Sequence, residues 1–96
     1  MAARMYIWPR YALEVDGKRF RLPDRVGAAV ARLFQARGYV DREELIEAVY
    51  YDDPNGGPLW AEGCLQQFLY RVNVMLVSTT AHIECAYGRG YRLHLP

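Results

Sequence analysis

Polar side chains able to read base edges recur along the helix predicted for residues 61–77. They lie on the side that the apolar positions of this helix leave free, and they are Gln66, Gln67, Tyr70, Arg71 and Asn73. Gln and Asn side chains pair bidentately with adenine in a major groove, and Arg pairs with guanine. An ordinary solvated helix face has a similar composition, so these residues alone leave both interpretations open.

A Gly-X-Gly turn near the C-terminus carries the second set of candidate contacts. Gly88 and Gly90 tolerate the positive backbone angles of a tight hairpin turn, and the flanking Ile, Tyr and Leu residues suit half-buried strands. We therefore predict a hairpin over residues 82–95, with Arg89 exposed at its tip and Tyr87 beside it. A helix followed by a basic-tipped hairpin is the element order of a winged helix.

Another hairpin is predicted near the N-terminus. Residues 11–15 and 18–22 alternate in character around Asp16-Gly17, which is a strong two-residue turn signal. Residues 5–8 can add a third strand, which Pro9 ends because proline has no N–H to donate to a central ladder.

Three helices are predicted between the hairpins, over residues 24–37, 42–50 and 61–77. Gly38 is expected to cap the first helix. Asp41 and Glu44 have the spacing of a capping box, in which a side-chain oxygen accepts a free amide at the start of the second helix. In the third helix a buried apolar stripe is predicted at Leu65, Phe68, Leu69, Val72, Met75 and Leu76.

Turn-forming residues fill the segment 51–60 between the second and third helices. Its acidic and aromatic side chains, Asp52, Asp53 and Trp60, are candidates for contact with a protein partner, although a plain connector has the same composition. Trp8 and Trp60 are expected to anchor their segments, because large aromatic rings usually bury most of their area.

The composition is that of one folded domain over residues 1–96. Hydrophobic residues make up 52% of the chain and aromatic residues 14%, which is too apolar for a disordered protein. We expect N-terminal strands in residues 1–22, a three-helix core in 23–77 and the C-terminal hairpin in 82–95. No run approaches the roughly 18 apolar residues of a membrane span and no secretion signal is recognised, so we expect a cytoplasmic protein with no membrane partner.

Charge is low overall but unevenly distributed. The net charge is +1, yet residues 1–37 contain eight basic and three acidic side chains, whereas residues 38–62 contain one basic and seven acidic ones. Such a separation allows one face to meet a polyanion and another to meet a partner. A mixed, solvated surface is the plainer alternative.

No motif for catalysis, a metal or a cofactor is recognised. Cys64 and Cys85 lack the paired Cys/His spacing of a zinc site, so we expect two buried thiols, and a disulfide between them stays open. His82 and His94 each stand alone in the sequence, without a nucleophile or carboxylate that completes a catalytic constellation. We expect no enzymatic activity.

Two segments resemble the effector domain of the OmpR/PhoB family of response regulators. Residues 40–50, VDREELIEAVY, are similar to the family's second helix, vSREELLEAVW, and residues 83–93, IECAYGRGYRL, are similar to its wing, IETVRGVGYRL. Leu65, Leu69, Val72 and Leu76 fall where the family's third helix, VDVHIRRLRKKL, keeps buried aliphatics. The resemblance covers residues 11–95 and implies an α+β winged helix-turn-helix fold with an N-terminal β-hairpin, three helices and a C-terminal hairpin wing.

The resemblance also implies a small transcriptional regulator that binds double-stranded DNA sequence-specifically. The third helix would enter the major groove, and the wing would reach the minor groove. The implied contacts are Gln66, Gln67, Tyr70, Arg71 and Asn73 on the helix and Tyr87 and Arg89 on the wing. The loop that carries Asp52, Asp53 and Trp60 can touch RNA polymerase in that family.

This sequence has fewer arginines on the third helix and wing than the family pattern, so we expect one copy to bind DNA weakly. A homodimer on adjacent half-sites can offset this loss. So can arginines of the N-terminal region that lie against the DNA backbone, namely Arg10, Arg19, Arg21 and Arg25. No receiver domain is recognised, and we expect a stand-alone regulator that is controlled by its abundance or by a partner.

A second function also fits the sequence, namely a winged-helix module that binds RNA polymerase or another regulator. Its contact patch would be Phe68, Tyr70, Val74 and Tyr87, with Arg71 as an anchor. Aromatic residues and arginine predominate in the hot spots of protein interfaces.

Overall fold

Two antiparallel β-sheets and three helices make up the structure, a computed structural model that describes residues 3–96. The elements in chain order are β1 (Arg4–Tyr6), β2 (Ala12–Val15), β3 (Lys18–Arg21), α1 (Asp24–Ala36), α2 (Arg42–Val49), α3 (Ala61–Met75), β4 (His82–Ala86) and β5 (Gly90–His94). The predicted α+β order is confirmed. Residues 1 and 2 of the predicted strand region 1–22 lie outside the described residues.

The N-terminal sheet has the strand order β1-β2-β3. Asp16 and Gly17 both have positive φ, 52° and 76°, as the two-residue turn of a tight hairpin requires. The Asp16 carboxylate also accepts a hydrogen bond from the backbone N–H of Thr80 at 2.8 Å, so this turn is tied to the segment before β4. A strand was predicted over residues 5–8, and the observed strand β1 begins one residue earlier and ends two residues earlier. The chain bends over residues 8–10, which prevents a longer strand.

The hydrophobic core joins one face of each helix to both sheets. From α3 it receives Leu65, Leu69, Val72 and Leu76, the last of which lies just beyond the helix. The stripe prediction is wrong for two flanking positions, since Phe68 is only half-buried against the core and Met75 is 37% exposed. Residues 65, 69, 72 and 76 are spaced four, three and four residues apart and so form a narrow stripe along one side of the helix. Residues 68 and 75 lie at the edges of this stripe.

The first two helices are bounded by different groups from those predicted. Arg37, with φ of 55°, adopts the left-handed conformation that ends α1, so Gly38 is not the cap. Asp41 precedes α2, but its carboxylate makes no capping hydrogen bond. Its backbone carbonyl accepts the N–H of Leu45 at 3.1 Å, and the β-bridge formed by its neighbour Val40 fixes the chain direction there.

α3 ends two residues before the predicted boundary and continues as a 3₁₀ turn, Leu76–Ser78. The Thr79 hydroxyl and the Thr79 N–H both donate to the Leu76 carbonyl at 2.8 Å. These two bonds satisfy a carbonyl that would otherwise be free at the end of the helix.

β4 and β5 form the C-terminal hairpin, which we call the wing (residues 82–94). Its turn is closed by the N–H of Arg89, which donates to the Ala86 carbonyl at 3.0 Å. Val40 adds a one-residue third strand, because its N–H donates to the Tyr91 carbonyl at 2.8 Å and its carbonyl accepts the Tyr91 N–H at 3.0 Å. Gly90, with φ of 101°, lies so close to this bridge that a Cβ would overlap the Val40 carbonyl.

The two glycines of the wing turn form a matched pair for mutation. Gly88→Ala adds strain at a φ of 76° but meets no neighbouring atom, so we expect a loss of about 1 kcal/mol in the free energy of unfolding. Gly90→Ala adds the same kind of strain and displaces Val40, so we expect a loss above about 3 kcal/mol. Urea unfolding measures both, and equal losses would show that the Val40 bridge does not restrict residue 90.

Candidate nucleic-acid interface

The solvent side of α3 carries four of the predicted DNA contacts. Gln66, Gln67, Tyr70 and Arg71 are all exposed, and the Tyr70 ring is 70% accessible. Val74, 56% accessible, follows Tyr70 by one helical turn and adds an apolar contact area. The Arg71 guanidinium has no ion pair within residues 3–96, so its charge is available to a ligand.

Asn73, the fifth predicted contact on this helix, faces the wing instead. Its Nδ2 donates to the Ile83 carbonyl at 2.9 Å, and its Oδ1 accepts the Ile83 N–H at 2.7 Å. The sequence pattern placed Asn73 on the polar side of α3 but could not indicate that a strand ten residues later packs there. We therefore leave Asn73 out of the proposed DNA contacts.

The tip of the wing extends into solvent. Tyr87 is fully exposed, and Arg89 is exposed beside it. The guanidinium groups of Arg89 and Arg92 each lie 5.7 Å from the centre of the Tyr39 ring, which holds both cations on one side of the hairpin. Sequence reasoning missed Tyr39, because nothing in its neighbourhood indicates that it lies against the wing.

Acidic groups lie between the wing tip and the start of α2. Asp41, Arg42 and Glu43 line this cleft together with Tyr87. The Arg42 side chain is bound to the Glu62 carboxylate at 2.7 Å, so it contributes little free positive charge. On α3 and the wing, the arginines without an ion pair within residues 3–96 are Arg71, Arg89 and Arg92.

The N-terminal arginines serve different purposes. Arg25 donates to the Val49 carbonyl at 2.6 Å and to Asp52 at 3.2 Å, and it stacks 4.7 Å from the Tyr50 ring. These contacts fasten α1 to the end of α2, so Arg25 is not a free phosphate ligand. Arg19 stacks 4.6 Å from the Tyr6 ring on the sheet face that points away from the core.

The loop between α2 and α3 uses its two aspartates internally. Asp52 forms the ion pair with Arg25, and Asp53 accepts the Asn55 N–H at 2.9 Å in a local turn. Trp60 is 71% exposed and Trp8 is 83% exposed, so the prediction that both rings are buried is wrong. Trp60 instead lines a surface groove beside α3, together with Cys64 and Phe68, outside the core. Tyr51 and Leu59, which the sequence did not single out, are exposed in the same loop.

Both cysteines are free thiols. Cys64 is half-buried and Cys85 is exposed, so the expectation of a buried thiol is wrong for Cys85. Within residues 3–96, no three His, Cys, Asp or Glu side chains are grouped as metal ligands.

The wing brings together the two histidines that stand apart in the sequence. His82 and His94 are directly opposite in the hairpin, and their rings stack with centroids 4.6 Å apart. Glu84 lies 2.6 Å from Nε2 of His94 and accepts a hydrogen bond from the Tyr39 hydroxyl at 2.9 Å. The bonds from His94 and Tyr39 to the charged form hold the pKa of the Glu84 carboxyl below its usual 4.5.

A three-helix core that presents its third helix beside a protruding hairpin defines a winged helix-turn-helix. The fold that the OmpR/PhoB resemblance implied is therefore confirmed. None of the helices in residues 3–96 is long and apolar enough to cross a bilayer.

A solved structure with this fold is the DNA-binding domain of Escherichia coli CadC. It superimposes with a TM-score of 0.70, covers 99% of this chain and 92% of its own, and is 19% identical in sequence. At this identity the likeness establishes the fold. No model of a known protein family and no curated protein matches the chain.

The Glu84 contacts predict a pH dependence of stability. A carboxyl whose pKa is lower in the folded protein stabilises it above the unfolded value, and this contribution is lost as the pH falls below 4.5 through the folded pKa. Glu84→Gln keeps an acceptor oxygen but removes the charge. We expect its deficit in melting temperature to be largest above pH 5 and to shrink toward pH 3, as thermal unfolding measured at several pH values would reveal.

Glu47→Gln is the control, because Glu47 is exposed and has no ion pair within residues 3–96. A deficit for Glu84→Gln that stays constant from pH 7 to pH 3 would contradict the proposed role of the Glu84 charge.

Proposed function

We propose that this chain binds double-stranded DNA sequence-specifically as a small transcriptional regulator. The observation that supports this most directly is the combination of an exposed polar face on α3 with a wing whose tip carries a free arginine. The CadC domain of the same fold is a DNA-binding domain, which supports the same class of ligand here and gives no indication of an enzyme. We expect the protein to act in the cytoplasm, where its DNA target is accessible.

In this proposal α3 enters the major groove and the wing meets the adjacent minor groove. Gln66 and Gln67 offer amides to base edges, and Arg71 offers a guanidinium to guanine or to a phosphate. Tyr70 and Val74 supply contact to sugars and thymine methyl groups. Tyr87 and Arg89 engage the minor groove and its phosphates.

The small number of free arginines on α3 and the wing limits the affinity for DNA. Nonspecific binding depends on the number of phosphates that are neutralised, and α3 and the wing contain three arginines in all, Arg71, Arg89 and Arg92. One copy should therefore bind weakly, and two copies on adjacent half-sites would give a useful affinity. A homodimer on DNA follows as part of the proposal, with regulation by abundance or by a partner.

A second candidate is a winged-helix module that binds protein, for which the exposed apolar residues provide a reason. Tyr70, Val74 and Tyr87 are exposed near Arg71, and Leu59 and Trp60 are exposed at the start of α3. Large aromatic rings beside an arginine are typical of binding hot spots. RNA polymerase is the partner that the loop position favours. Since Asp52 is paired with Arg25 of α1 and Asp53 accepts a hydrogen bond from Asn55, Trp60 would carry most of this contact.

Binding to random duplex DNA should weaken as salt increases, with a slope set by the phosphate contacts. We expect Arg71→Ala and Arg89→Ala each to flatten the slope of log K against log salt by about 1, because each removes one neutralising contact. Fluorescence anisotropy between low and moderate salt measures these slopes.

Arg4→Ala is the matched control, because it changes the net charge equally but lies on β1 of the N-terminal sheet. Its slope should equal that of the unmodified protein. If neither Arg71→Ala nor Arg89→Ala alters binding while Arg4→Ala does, DNA does not bind at α3 and the wing. If duplex DNA does not bind at all but RNA polymerase is captured and lost on Trp60→Ala, the protein-binding function is favoured.

The two glutamines on the solvent side of α3 predict base preference rather than general affinity. Gln66→Ala or Gln67→Ala should cost about 1–3 kcal/mol on a selected target and relax the preference at one base pair, because one bidentate pair is lost. Affinity for random duplex should change little, because an amide neutralises no phosphate. Selection from a randomised oligonucleotide pool compares the preferences, and an unchanged preference in both variants would show that neither amide reads a base.

A further inference from the structure

The side chain of Asn73 joins α3 to the wing through two directional hydrogen bonds. One amide hydrogen is donated to the Ile83 carbonyl and the amide oxygen accepts the Ile83 N–H, at 2.9 Å and 2.7 Å. The pair of bonds copies the exchange that two peptide groups make in an antiparallel ladder. Asn73 thus takes the place of a neighbouring strand at the edge of β4.

The register of the wing explains why this edge needs a partner. Ile83 lies opposite Leu93, and hydrogen-bonded and non-hydrogen-bonded pairs alternate along an antiparallel hairpin. Because both backbone groups of Ile83 bond to Asn73, they point away from β5. Ile83 is 6% exposed, so without Asn73 these groups would have little access to water.

The opposite edge of the wing is held in the same manner by Val40, whose backbone exchanges two hydrogen bonds with Tyr91. One attachment therefore comes from main chain before α2, and the other comes from a side chain of α3. Of these two attachments, the one through Asn73 ties the wing directly to the helix that carries Tyr70 and Arg71.

We propose that Asn73 is a positioning residue that sets the place of the wing tip relative to the exposed face of α3. It makes no contact with DNA and acts through Arg89 and Tyr87, which lie four to six residues beyond Ile83 on the same hairpin. The part of this inference that concerns DNA rests on the proposed function. The part that concerns the wing stands on the two hydrogen bonds alone.

The first test uses no DNA. In Asn73→Ala, amide hydrogen exchange followed by NMR should show the protection of the Ile83 N–H reduced by about tenfold or more, because its acceptor is gone. The N–H groups of Glu84 and Arg92, which lie within the hairpin, should keep their protection. Asn55→Ala is the matched control, because the Asn55 side chain makes no hydrogen bond within residues 3–96, and it should leave Ile83 unchanged. Unchanged Ile83 protection in Asn73→Ala would overturn the inference.

A second variant guards against a general loss of stability in Asn73→Ala. Asn73→Asp has nearly the same shape and keeps an acceptor for the Ile83 N–H, but it cannot donate to the Ile83 carbonyl when it is ionised. In Asn73→Asp we expect the Ile83 N–H to be protected from exchange more than in Asn73→Ala and less than in the unmodified protein. Protection as low at Glu84 as at Ile83 in both variants would mean that the hairpin unfolds rather than detaches, which contradicts the proposal.

The second test is a double-mutant cycle on duplex DNA. If Asn73 acts through the wing tip, Asn73→Ala and Arg89→Ala should each weaken binding by a similar factor, and the double variant should lose about tenfold where independent effects would give about a hundredfold. Additive losses would show that Asn73 contacts DNA itself and would overturn the positioning role. Failure of the unmodified protein to bind DNA would contradict the proposed function, while the exchange experiment would still decide the attachment of the wing.

Discussion

The hydrogen bonds at the two outer edges of the wing are the constraint on which the candidate interface depends. A two-stranded hairpin is at best marginally stable on its own in water. Here Val40 supplies peptide groups to one strand and Asn73 supplies an amide to the other. Gly90 allows the first attachment because only a residue without a side chain fits against the Val40 carbonyl. The wing is consequently part of the folded core rather than an independent appendage.

The attachment of the wing to the rest of the fold sets the relative positions of the free guanidinium groups. Arg71 lies on α3 and Arg89 lies on the wing, so a rigid connection between these elements fixes where both guanidinium groups meet a ligand. Several other arginines are committed to internal contacts, for example Arg25 with Asp52 and Arg42 with Glu62. A surface with few phosphate ligands gains little from electrostatic attraction alone. Its selectivity would then depend on how accurately the amides of Gln66 and Gln67 are placed.

Local signals in the sequence were sufficient to predict the helices and strands. Contacts between residues that are distant in the sequence could not be predicted from it. The Asp16-Gly17 turn, the glycines of the wing and the spacing of Leu65, Leu69 and Val72 predict structure because each acts within a few residues. Asn73 was misplaced because its partner lies on a strand whose position depends on the whole core. Trp60 was misplaced for a related reason, since aromatic size does not indicate whether a ring enters the core or lines a surface groove, as Trp60 does.

The exposed apolar residues on α3 and the wing bear on both candidate functions. Tyr70 and Val74 occupy one face with Arg71, and Tyr87 projects from the hairpin. A protein interface would bury these rings in a partner and would use Arg71 as a single anchor, without need of a fixed wing. In the proposed DNA complex the helix and the wing tip contact two grooves at once, which demands a fixed distance between them. Two separate attachments that hold the wing against α2 and α3 provide such a distance, and for this reason the arrangement fits a DNA ligand better than a protein partner.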